Sequence, residues 1–153
     1  CQKTNQFNLS TIRYEESDLF KIDNKSHKIY SLKVNDKFGE LGITGLMIIK
    51  YLKNRECEID TFLMSCRILG RKIEKVFLKY ILFNLKKEGY EKVYAKHIFT
   101  KKNSQIKDFL IDNLFNETYS TKEESKYEKN IMNEDFNFSK IELETYKITY
   151  NNE

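Results

Sequence analysis

The sequence predicts a mixed α/β domain in which a central mixed sheet carries helices on both faces. Three observations predict it. Apolar strand-like runs follow one another between residues 28 and 65, one long stretch of helical periodicity covers 71–88, and a further strand and a second helical stretch come after it. Closely spaced runs pair antiparallel, whereas a strand, a long helix and a strand in succession require a right-handed crossover between parallel strands.

Each element has its own signal. Glu15 to Ile22 makes one short helix, with Leu19, Phe20 and Ile22 as a small apolar face behind an acidic first turn. Lys28 to Val34 alternates through Tyr30, Leu32 and Val34, and Ile43 to Tyr51 is apolar nearly throughout. The span Asn35 to Gly42, with glycines at 39 and 42, joins them as a wide turn. Cys57 to Ser65 is a third strand, apolar on both faces from Phe62 to Met64 and therefore central. Arg71 to Glu88 places Ile73, Val76, Phe77, Tyr80, Ile81 and Leu85 on one face, and Gly89 supplies a left-handed stop. Lys92 to Ile98 is the next strand, and Ser104 caps a second helix with Ile106, Phe109, Leu110 and Leu114. Residues 116–135, rich in Ser, Thr, Lys, Glu and Asn, read as a flexible exposed loop, and Phe136 to Tyr150 as one or two closing strands.

Composition limits the function. A chain of 153 residues with 40% hydrophobic content is one domain, 1–153, and no apolar run reaches membrane-spanning length. The cysteines Cys1, Cys57 and Cys66 are odd in number and at no metal spacing. Without a signal-like start they read as reduced thiols in the cytoplasm, with no metal site. The net charge of +4 is spread, with lysines alternating with acids. That pattern argues against nucleic acid and leaves room for an acidic partner or a phosphate-bearing cofactor.

Chemistry concentrates where the third strand runs into Cys66-Arg67-Ile68-Leu69-Gly70-Arg71-Lys72 and then into the long helix. Backbone N–H groups, the positive end of a helix and two guanidinium groups surround one concavity, an arrangement that binds phosphate. It resembles the pyrophosphate loop of the GNAT acyltransferases (acyl-CoA N-acyltransferases), with Arg67 and Gly70 in the matching places. Lys72 stands where a small residue is expected.

A second resemblance is more specific. Lys3-Thr4-Asn5-Gln6-Phe7-Asn8-Leu9, Asp36-Lys37-Phe38-Gly39-Glu40 with Gly42, Ile59 through Arg71, and Thr100, Lys102 and Asn103 look like the carboxy-terminal half of FkbH-like proteins, in order over about two thirds of the chain. Those proteins join a phosphatase-type half of the haloacid dehalogenase (HAD) superfamily to a GNAT-like half. The resemblance implies capture of a glyceryl-type acyl group from a phosphorylated three-carbon donor and its delivery to the phosphopantetheine thiol of an acyl carrier protein. No Asp-x-Asp pair followed by Thr or Val occurs near a strand end, so the chain is expected to be the acyl-transfer half, with a HAD-type phosphatase half as partner. The family usually has Gly at Lys72, an aromatic such as Tyr at His97 and Pro at Phe99.

These observations name the candidate residues. Cys66, at the helix's positive end, is the acyl-accepting nucleophile; the competing reading is a small buried apolar residue. His97, near the end of the parallel strand, is its base, against a histidine merely replacing an aromatic. Arg67, Leu69, Gly70, Arg71, Lys102 and Asn103 are candidates to hold coenzyme A or a carrier's phosphopantetheine. Asn5, Gln6, Asn8, Asp60 and Thr100 are candidates to bind the substrate. Competing roles are backbone satisfaction for the three amides, a cap for Asn103 and a neighbouring donor for Asp60. The alternatives in function are a non-catalytic module that docks a carrier protein and a free-standing GNAT N-acyltransferase using acetyl-CoA.

Overall fold

The computed structural model describes residues 7–12, 14–19, 21–36, 39–139 and 146–150. The elements are, in chain order, α1 (Glu16–Leu19), β1 (His27–Asp36), β2 (Gly39–Tyr51), β3 (Glu56–Met64), α2 (Ile73–Lys87), β4 (Lys92–Ile98), α3 (Gln105–Asp112), β5 (Asn116–Ser120), β6 (Glu124–Asn130) and β7 (Tyr146–Tyr150). The strands form one seven-stranded sheet in the order β5-β6-β4-β3-β2-β1-β7, antiparallel except where β3 and β4 pair in parallel. This mixed sheet with helices on both faces is the GNAT-like fold.

Alternation along the strands sorts side chains onto two faces. Tyr30, Leu32, Val34, Met47, Ile49, Ile59, Phe62 and Met64 face the main core, into which α2 contributes Ile73, Phe77, Leu78, Ile81, Leu82 and Leu85 and α3 contributes Ile106 and Leu110. Each such side chain stabilises by about 1.5–3 kcal/mol when fully buried. Leu46, Ile48 and Leu63 face the other way, under Tyr14, Leu19 and Ile22 of the α1 region. Gly45 sits where β1, β2 and β3 crowd. A Cβ there would lie 2.9 Å from Met64 Sδ and 3.2 Å from Leu32 Cβ, so the position takes no larger residue without a shift.

Five expectations are corrected. Residues 116–135 are not a flexible loop: β5 and β6 form an antiparallel hairpin that extends the sheet beyond β4. Its polar sequence concealed it, because β5 is an edge strand exposed throughout and β6 buries only Ser125, Tyr127 and Lys129 on one face. The β1–β2 turn is narrower than Asn35 to Gly42, since Asn35 pairs with Glu40 and Asp36 with Gly39. Leu114 lies past α3 with a φ of 63° and is 67% exposed, because Asp112 ends the helix and Phe115 takes the core position instead. Ser104 makes no side-chain cap bond. Finally, residues 136–139 are not strand, and the described closing strand is Tyr146–Tyr150, against β1. Phe136 and Phe138 pack edge-on against Phe83 of α2, and Lys79 and Lys86 hold that segment through the carbonyls of Asn137 and Glu134. Ile141 and Leu143 lie outside the described residues.

Candidate functional site

The parallel pairing of β3 with β4 is short. It runs from Glu56 opposite Lys92 to Ile59 opposite Ala95, after which both strands continue, to Met64 and Ile98, without pairing each other. Beyond the parting, β3 leads into the loop of residues 65–72 and β4 into the turn of residues 99–104.

The loop is built to leave donors free. Ile68 N–H is taken by Ser65 O at 3.1 Å, whereas among the described residues no backbone carbonyl accepts from the N–H groups of Gly70, Lys72 and Ile73. Gly70 has a φ of 79° and Lys72 a φ of 61°, so the chain turns left-handed twice before α2 begins. A left-handed residue followed by a helical one aims successive N–H groups into one concavity, at the positive end of a helix dipole. The small residue expected at position 72 thus has a physical reason, because a side chain in the left-handed region costs about 1–2 kcal/mol. Ile68 anchors the loop in the core, Leu69 packs against it, and Cys66, Arg67, Gly70, Arg71 and Lys72 are exposed. Cys66 is therefore an accessible thiol. Cys57, by contrast, is buried in β3, and burial pushes its thiol up to about 12.

The donor set of the loop, main-chain N–H groups at Gly70, Lys72 and Ile73 with the exposed guanidinium groups of Arg67 and Arg71, is of the kind that suits a phosphate or diphosphate. The parting between β3 and β4 is a different matter, because the chain itself fills it. Leu9 N–H donates to Phe62 O at 3.2 Å, Met64 N–H donates to Phe7 O at 3.1 Å, and Ile98 N–H donates to Leu9 O at 3.0 Å. Residues 7–9 thus run as a single strand bonded to both walls, antiparallel to β3 through Asn8 opposite Leu63. Phe7 packs edge-on against Phe62 and Phe109, and Leu9 is fully buried.

Asn103, 1% exposed, fastens this strand. Its Nδ2 donates to Asn8 O at 2.9 Å and Ile98 O at 2.8 Å, and its Oδ1 accepts from Thr100 N–H at 2.8 Å. Thr100 Oγ1 in turn accepts from the N–H groups of Lys102 and Asn103. The pair closes a reciprocal box around the turn, so the Asn103 side chain is spent on β4 and residue 8 and not on capping α3. Asn8 Oδ1 accepts from Thr11 N–H at 2.9 Å. Asp60 Oδ2 accepts from Tyr14 hydroxyl at 2.9 Å and from Thr61 Oγ1 at 3.0 Å. Asn8, Asp60, Thr100 and Asn103 are therefore engaged in holding the fold. Lys102 is exposed at the turn, and Asn5 and Gln6 lie outside the described residues.

His97 does not join the loop. It faces the main core with Val93 and Ala95, fully buried, its ring edge-on to Phe99 at 4.9 Å, and among the described residues neither ring nitrogen has a hydrogen-bond partner. Burial pushes its imidazole below the ordinary histidine value. The expected Cys66–His97 hydrogen bond is thus absent: the period of two that brings Val93 and Ala95 inward turns His97 inward as well.

Sequence reasoning missed the strand at residues 7–9 as an occupant, since nothing local marks what a short apolar segment pairs with. It also missed Lys129, only 4% exposed and paired with Glu134 at 2.9 Å, which lines a cavity of about 160 Å³ together with Lys75, Leu78, Lys79 and Phe136. Among the described residues no group of three His, Cys, Asp or Glu side chains gathers as a metal site, and no helix is long and apolar enough to cross a membrane.

Solved structures share this architecture. The PaiA N-acetyltransferase of Thermoplasma acidophilum, determined in complex with coenzyme A, aligns with a TM-score of 0.52 and 19% identity. That alignment covers 57% of this chain and 54% of the other, so it spans about half of that protein. The ribosomal-protein-S18-alanine N-acetyltransferase of Escherichia coli aligns over 86% of each chain with a TM-score of 0.59 and 11% identity. A GNAT-family acetyltransferase of Staphylococcus aureus Mu50 aligns over 67% of this chain and 68% of the other, with a TM-score of 0.52 and 15% identity. No protein-family model matches the chain, and no curated protein is similar to it in sequence. At these identities the likeness is one of fold.

Proposed function

We propose that the chain is an acyltransferase that exchanges an acyl group with the thiol of a phosphopantetheine arm, borne by coenzyme A or by an acyl carrier protein. The observation behind this reading is the loop of residues 65–72, where the N–H groups of Gly70, Lys72 and Ile73 have no backbone acceptor among the described residues, the chain turns left-handed at the start of α2, and Arg67 and Arg71 are exposed in the same loop. Such a point takes the phosphate at the root of the arm. The GNAT-like fold supports the reading, as does the description of the aligned structures as acetyltransferases, one of them holding coenzyme A.

Within that reading, the exposed thiol of Cys66 at the mouth of the loop favours a relay. The Cys66 sulfur attacks the acyl carbon of a thioester or acyl phosphate, the bond to the donor's sulfur or phosphate oxygen breaks, and the thiol proton goes to the leaving group or to water. The same exchange then passes the acyl group to an acceptor thiol, a nearly isoenergetic step between thioesters. His97, buried away from solvent, has no part as base. The ordered likeness to FkbH-like proteins supports a glyceryl-type acyl group, an acyl carrier protein as acceptor and a HAD-type phosphatase half as source of the donor.

Two measurements test this. Calorimetric titration with coenzyme A is expected to show binding that weakens tenfold or more in an Arg67→Ala/Arg71→Ala double variant. Intact-mass analysis with acetyl-CoA, or with donor and phosphatase half, is expected to show one acyl adduct that disappears in Cys66→Ala. Absence of coenzyme A binding up to millimolar concentration sinks the phosphate-loop reading, and an adduct that survives in Cys66→Ala sinks the relay.

A further inference from the structure

From the hydrogen bonds across the β3–β4 parting we infer that residues 7–9 are a displaceable internal strand, holding by competition the slot that an amide-bearing ligand arm would enter. The inference rests on the phosphate-loop reading above and goes beyond it. Two parallel strands that part expose facing rows of N–H and C=O groups, and such groups do not stay unpaired when buried. Here Phe62 O and Met64 N–H on one wall and Ile98 N–H on the other are all satisfied by Phe7 and Leu9. A pantetheine arm rooted at the loop of residues 65–72 leaves from the end of β3, so its shortest path along the sheet follows those same three groups. Its two amides offer the donor and acceptor pattern that residues 7–9 now supply, so arm and strand exclude one another.

Several features mark the strand as separable from the sheet. It is an isolated bridge of one residue pair and not a ladder. Just beyond it, Ser10 Oγ is buried without a partner among the described residues and Thr11 is held at a φ of 61°, so the segment leaves the slot under local cost. Toward β4 it is fastened, among the described residues, by one backbone bond, Ile98 N–H to Leu9 O, and one side chain, Asn103. Displacement would carry Phe7 and Leu9 out of the core, which couples occupancy of the arm slot to release of the chain's amino-terminal segment.

The test is amide hydrogen exchange of the intact chain, read by mass spectrometry, alone, with coenzyme A, and with ADP, which has a diphosphate and no arm. The expected result is a protected 7–10 segment in the free chain. With coenzyme A but not ADP, exchange there accelerates tenfold or more, while residues 62–64 and 96–98 stay protected and both ligands protect residues 68–75. Protection of 68–75 by both ligands with 7–10 unmoved would overturn the displacement and leave the phosphate-loop reading standing. No change anywhere overturns both. Rapid exchange of 7–10 in the free chain shows that the strand is not resident and overturns the inference directly.

Discussion

Replacing Asn103 by Asp changes one atom and reverses the polarity of the bond network beneath residues 7–9. Asn103 Nδ2 donates to two carbonyl oxygens, Asn8 O at 2.9 Å and Ile98 O at 2.8 Å, while Oδ1 accepts from Thr100 N–H. An Asp keeps the acceptor but aims its second oxygen at two carbonyls, in a site that is 1% exposed. Two hydrogen bonds worth about 1 kcal/mol each are lost, and a buried carboxylate next to carbonyl oxygens takes up a proton instead of staying charged. Staying protonated at pH 7, when the unfolded chain ionises near pH 4, costs about 4 kcal/mol, and the proton restores one of the two donated bonds. The variant is therefore expected to lose about 4–5 kcal/mol at pH 7 and only about 1 kcal/mol at pH 3, where both states are protonated. Asn103→Ala, with nothing to titrate, is expected to lose about 2–3 kcal/mol at both pH values. Urea unfolding followed by circular dichroism reads this as a midpoint about 2 M lower for Asn103→Asp at pH 7, taking a slope of about 2 kcal/mol per M. A loss below about 1 kcal/mol at pH 7, or one equal at the two pH values, refutes the claim that this side chain joins residue 8 to β4.

Two further outcomes follow from buried groups. Burial holds His97 below its ordinary value, so the unfolded chain takes up a proton near pH 6.5 that the folded chain resists. The cost of keeping it neutral is therefore absent above that pH and grows as the pH falls toward the folded value; with both ring nitrogens buried and unsatisfied among the described residues, His97→Phe should gain about 1 kcal/mol at pH 7 and flatten the decline toward pH 5, and an unchanged acid slope counts against it. The thiols should also separate: peptide mapping after brief alkylation of the native chain at pH 8 is expected to find Cys66 labelled and Cys57 unlabelled until denaturant is added. Equal labelling of the two contradicts the burial that raises Cys57 to about 12.

Much of the fold was legible because local pattern and tertiary role agreed. The α2 stripe, the parallel crossover into β4 and the central place of β3 each follow from periodicity and from the chirality of connections. The hairpin of β5 and β6 was not legible. A strand at a sheet's edge needs few apolar residues, and Ser125 and Lys129 enter the interior only because β4 and Glu134 are there to receive them. Ser104 had the identity of a cap without the bond, since the preceding turn had already closed on Thr100 and Asn103.

By itself the sequence determined the succession of strand, loop and helix at residues 65–73, because an apolar strand, a glycine and an apolar helical stripe are local signals, although the loop is anchored by Ile68 in the core and by Ser65 N–H on Thr44 O. Only the tertiary structure decided what lies beside that loop. Whether His97 faces Cys66 or the core depends on the phase of β4 in the sheet, and which segment fills the parting of β3 and β4 depends on pairing between residues more than fifty positions apart. Such pairing is set by the competition of all segments for one set of backbone groups and one core, a choice that no single stretch of the chain encodes.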